Sequence, residues 1–83
     1  MNTTLTKEDQ AIIKKARRNK CSGPIYSEDG LRLLKVLGNP EFVEVEDGVK
    51  AICEYAFLGL NNLHDLVLPA SVVDLGEEAF ASC

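Results

Sequence analysis

The stretch VEVEDGVKAICEYAFLGL, residues 43–60, is answered 23 positions later by LVLPASVVDLGEEAFASC, residues 66–83. Val43, Val45, Val49, Ile52, Ala56, Phe57 and Leu60 fall on Leu66, Leu68, Val72, Leu75, Ala79, Phe80 and Cys83. Only four of the eighteen aligned pairs are identical (Val49/Val72, Glu54/Glu77, Ala56/Ala79 and Phe57/Phe80), yet the apolar positions hold their register throughout. Repetition that is loose in identity and strict in position is what one structural unit packed on its copy requires. The spacing also lies inside the range of leucine-rich repeats, about 20–29 residues. Leu63-x-x-Leu66-x-Leu68 matches the strand core of that repeat. Alternation places Leu66 and Leu68 inside and Val67 outside, and Pro69 stops the strand. Val72 and Leu75 then return to the interior, and Glu77–Cys83 is expected to form a short helical turn with Phe80 filling the space between coils.

Taken with Leu66-Val67-Leu68-Pro69 between them, Glu54-Tyr55-Ala56-Phe57 and Glu77-Glu78-Ala79-Phe80-Ala81-Ser82-Cys83 resemble the BspA-like bacterial leucine-rich repeat family. The resemblance covers residues 31–83. Cys53 stands where the family has glycine, Leu60 where it has cysteine, and Glu46 where it has proline. The resemblance implies a right-handed solenoid that binds proteins, often at the bacterial cell surface, with no active site and no cofactor.

Working upstream, the apolar run Leu31–Leu37, the turn Gly38-Asn39-Pro40-Glu41 and the stretch Phe42–Glu46 read as a β-hairpin over 31–46. Residues 1–25 read as an amphipathic helix and turn. Thr6 is a good N-cap, Glu8 and Asp9 place negative charge in the first turn, and Lys14–Lys20 place positive charge in the last ones. Leu5, Ile12, Ala16 and, at the margin, Ile13 share one face, with Lys7, Lys14 and Arg18 opposite. Ser22-Gly23-Pro24 is the expected stop. Residues 1–26 carry six basic and two acidic side chains, a net +4, whereas residues 27–83 carry three basic and eleven acidic, a net −8. Two different surfaces follow from that split.

The expected fold is therefore an α/β leucine-rich-repeat solenoid of about 1.5–2 coils, with a capping helix over 1–25, a hairpin over 31–46 and repeats over 43–83. The expected function is protein–protein interaction or scaffolding. Its candidate residues are Phe42, Glu44, Asp65 and Val67, which the 23-residue offset sets side by side on an exposed sheet face. The alternative is binding to nucleic acid or an anionic surface through Lys14–Lys20. The acidic remainder of the chain and the lack of interleaved aromatic residues weigh against nucleic acid. Leu66, Leu68, Val72, Leu75 and Phe80 form an apolar end, for which the expectation is either self-association through it or a longer solenoid of which the chain is a fragment.

Chemistry is not expected. His64 and Asp65 are adjacent on a strand and point to opposite faces, so they make a poor dyad. No Walker loop, G-x-G-x-x-G or H-E-x-x-H is present. Cys21, Cys53 and Cys83 lack a C-x-x-C pairing and read as reduced thiols, at least two of them in the core. No apolar run reaches the ~18–20 residues of a membrane span, and residues 1–10 lack a secretory signal. As it stands the chain reads as cytoplasmic, against the surface location that the resemblance implies.

Overall fold

In the computed structural model, which describes residues 1–83, Thr6 starts the chain's one helix, α1 (Lys7–Arg18). The Thr6 hydroxyl accepts from the Asp9 amide at 3.1 Å, and the Asp9 carboxylate accepts from the Thr6 amide at 2.9 Å. This reciprocal capping box satisfies two of the amides that a helix start leaves open. The helix stops earlier than expected. Lys20 takes a left-handed conformation (φ 56°), and the Cys21 and Lys20 amides donate back to the carbonyls of Ala16 and Arg17. That is a Schellman closure, with lysine where glycine is usual. Gly23 and Pro24, expected to be the stop, instead open a strand.

Six strands follow: β1 (Gly23–Tyr26), β2 (Arg32–Leu37), β3 (Phe42–Glu44), β4 (Ala51–Ile52), β5 (Asp65–Val67) and β6 (Asp74–Leu75). They form a four-stranded mixed sheet in the order β1-β2-β4-β6 and a separate parallel pair, β3-β5. Strand β1 pairs antiparallel with β2. Ile25 faces Lys35 while Tyr26 faces Leu33, so Leu34 is the extra residue of a β-bulge. The bulge sends Leu33 and Val36 to one face of the sheet and Leu34 and Leu37 to the other. β2 is thus buried on both sides, as its run of leucine and valine allows.

Three layers result. On one side Ile13 and Ala16 of α1 pack on Leu34, Leu37 and Cys53. On the other, Leu33, Val36 and Ile52 meet Val43 of the parallel pair together with Val45, Val49, Phe57 and Leu60. Phe57 is fully buried and stacks on Phe80, with ring centroids 4.9 Å apart. Gly76 is needed for close approach: a Cβ there would lie 2.3 Å from the Glu54 amide nitrogen.

The right-handed leucine-rich-repeat solenoid is not formed. The chain folds as a small compact α/β domain, 31 × 28 × 21 Å, with one helix and two sheets that are not stacked as repeats. The physical reason is number. Stacked units need about three or more copies to enclose a core, and only residues 43–60 and 66–83 follow the pattern. Helix α1 and strands β1 and β2 supply the rest of the core. What the 23-residue offset does set is strand register, pairing Val43 with Leu66 and Ala51 with Asp74. The hairpin expected over 31–46 is also corrected. β2 and β3 lie in different sheets, and the hairpin is β1–β2, turned at Ser27–Gly30. Glu77–Cys83 forms turns rather than a helix, with left-handed Glu78 and Ser82. Of the cysteines only Cys53 is buried.

Candidate interaction surface

The parallel pair β3-β5 places the four candidate residues together. Phe42 pairs with Asp65 and Glu44 with Val67. The intervening Val43 is buried and Leu66 half-buried, so strand alternation turns all four candidates outward. Phe42 is 54% exposed and Val67 45% exposed, on one diagonal of the grid; Glu44 and Asp65 occupy the other. Neither carboxylate is in an ion pair, since the two ion pairs of the protein are Arg32–Asp9 and Met1–Asp74. The backbone beneath is held by Val45, whose amide donates to the Val67 carbonyl at 2.9 Å, and by His64 and Asp65, whose amides both donate to Glu41. The result is a grid of two exposed apolar side chains and two unneutralised carboxylates on a hydrogen-bonded strand pair.

A second polar constellation lies elsewhere, and it is structural. Arg32 grips the buried Asp9 in a two-toothed ion pair at 3.0 and 2.6 Å. It also donates to the carbonyls of Asn2 and Thr4 at 2.9 Å each. Glu54 completes the strap: its carboxylate accepts from the Leu5 amide at 2.8 Å and its amide donates to the Thr3 carbonyl at 2.7 Å. The side-chain hydrogen bond from Arg32 holds the Asp9 carboxyl below its ordinary range. Burial pushes the nearby Cys53 thiol up, against the opposing pull of Arg32. A thiol so placed is a poor nucleophile. The Thr6-x-x-Asp9 spacing carried the signal for Asp9; nothing local marked Arg32 as its partner.

The remaining expected surfaces fall as follows. Lys14, Lys15, Arg17, Arg18 and Lys20 are all exposed. At the opposite end of the sheets, Val73 is 74% and Leu75 59% exposed, with Leu68 also exposed and Leu66, Val72 and Phe80 half-buried. Leu68 and Leu75 are therefore not the interior residues that the repeat pattern suggested. β6 is an edge strand with one side unpaired. No helix is long and apolar enough to cross a membrane.

Fold and surface together define a small α/β domain that presents a mixed apolar–acidic sheet face. Neither a protein-family model, nor a curated protein, nor a solved structure matches the chain.

Proposed function

We propose that the chain is a protein-interaction module that binds through the exposed face of β3-β5. The observation that supports this is the grid of Phe42, Glu44, Asp65 and Val67, brought side by side by the parallel register. Parallel pairs are usually covered on both faces, so one that leaves a phenylalanine and a valine exposed presents a surface suited to a partner. Two free carboxylates beside two apolar groups favour a partner with an apolar anchor flanked by lysine or arginine.

The test is affinity capture with the wild-type chain, a Phe42→Ser/Val67→Ser variant and a Lys15→Glu/Lys20→Glu variant. A specific partner should be lost with the first variant and kept with the second. Both variants change exposed side chains, so urea melts should agree with wild type within about 0.5 kcal/mol. Retention of the same partner by the sheet variant would sink the reading.

A second reading is self-association through the β6 edge, favoured by the exposure of Val73 and Leu75. Glu77 and Glu78 stand exposed beside that edge, so two copies meeting there bring like charges together. Sedimentation should then show association that strengthens with salt and disappears in Val73→Lys. Monomer at every ionic strength would remove this reading.

A further inference from the structure

We propose that the groove between α1 and Lys35 of β2 binds a phosphomonoester carried on a small apolar body. This inference is independent of the sheet-face reading. The groove, about 340 Å³, is lined by Leu5, Gln10, Ile13, Lys14, Arg17 and Lys35. Three of these six are cations and none is a carboxylate. Lys14 and Arg17 lie three apart on α1 and so share a face, while Lys35 reaches the same space from the strand. None of the three belongs to either ion pair of the protein.

Lys35 is the informative member. It is half-buried in a strand whose other residues after Arg32 are leucine and valine, and its ammonium donates to the Tyr55 carbonyl at 3.0 Å. An ammonium has three donors, so two remain for something else. Burial, reinforced by the nearby Arg17 charge, already lowers its pKa. Lys14 and Arg17 are exposed and Lys35 half-buried; like charges gathered around one groove repel one another, and an anion seated among them converts that repulsion into attraction.

The chemistry of the groove selects the anion. A phosphomonoester has its second pKa near about 6 and is largely dianionic at neutral pH, with three acceptor oxygens. Arg17 offers a planar fork and the lysines offer point charges, the usual division of labour around phosphate. Leu5 and Ile13 supply apolar wall, which inorganic phosphate does not use and an organic body does. Lys15, Arg18 and Lys20 do not line this groove, so the site is not the basic run of the helix as a whole.

The experiment is a titration of the full chain with phenyl phosphate, followed by backbone amide NMR. The expected result is saturable binding with shifts at Leu5, Ile13, Lys14, Arg17 and Lys35, weakened about tenfold or more in Lys35→Met and in Arg17→Gln. Lys15→Gln and Lys20→Gln should bind within about twofold of wild type, and inorganic phosphate should bind more weakly than phenyl phosphate. Competition between phenyl phosphate and phosphatidic-acid vesicles would place the phosphoryl group on a lipid, and absence of vesicle binding on a free small molecule. Both outcomes keep the site. Absence of saturation, or equal losses in Lys15→Gln and Lys35→Met, would overturn it as diffuse charge attraction. Thermal melts check each variant, and Arg17→Gln, at an exposed position, carries the test if Lys35→Met fails to fold.

Discussion

Phe57→Ala is expected to lower unfolding free energy by about 3–5 kcal/mol, a large part of the ~5–15 kcal/mol that holds a domain together. Phe57 is fully buried and touches both members of its own surroundings: the core between the two sheets and the ring of Phe80. Its amide donates to the Ala79 carbonyl at 2.7 Å, so the backbone is tied in place and collapses little around the lost ring. Phe80 occupies the equivalent position 23 residues on, and repeat logic alone gives it the same cost. The structure separates them. Phe80 is only half-buried, so Phe80→Ala should cost about 1–2 kcal/mol, less than full burial of an aromatic ring contributes. Urea melts of the two variants are the check, and equal losses would mean that the core is not centred on Phe57.

Breaking the Asp9–Arg32 pair is expected to be comparably severe. Asp9 is 3% exposed, and its carboxylate serves the helix cap and the Arg32 guanidinium together. Asp9→Asn leaves Arg32 charged and poorly matched in a mostly buried position, a loss of about 3–5 kcal/mol for pairs of this kind. Because the folded-state pKa of Asp9 is held below its unfolded value near about 3.9, the stabilisation is fully present above that value. It is lost as pH falls through the lower, folded-state pKa. Wild type should therefore exceed Asp9→Asn by the full amount at neutral pH, and the gap should shrink in strong acid. A gap that stays constant from neutral pH down to about pH 2 would show that the ion pair is not what Asp9 contributes.

Much of the helix was legible because its signals are local. Thr6 and Asp9 sit three apart, and Ile13 and Ala16 lie on the face that is buried. The register of β3 on β5 was legible too, since equal spacing of apolar side chains over residues 43–60 and 66–83 leaves one alignment that sets Val43 beside Leu66. The same regularity misled at a larger scale, because two copies of a pattern resemble the start of a long array and cannot enclose a core by themselves.

The hairpin shows where local reading stops. Leu31–Leu37 and Phe42–Glu46 flank a turn-forming Gly38-Asn39-Pro40, so they read as partners, while Gly23-Pro24 reads as a loop. In the fold β1 takes that place, because Pro24 lies in an outer strand of the sheet where a missing amide is tolerated. β2 carries no clean alternation, since the bulge at Leu34 and burial on both faces remove the period by which a strand is read. A lone lysine inside such a strand was the visible sign of the Lys35 groove, but only the packing of α1 showed which cations it would meet. Sequence by itself determined the helix start, the apolar register of the two 23-residue units and the outward grid of Phe42, Glu44, Asp65 and Val67. Tertiary structure alone decided that β1 rather than β3 pairs with β2, that the units close into a layered domain, and that Arg32 serves Asp9. Caps and periodicities act over a few residues, whereas partner choice minimises exposed apolar surface and unpaired charge over the whole chain.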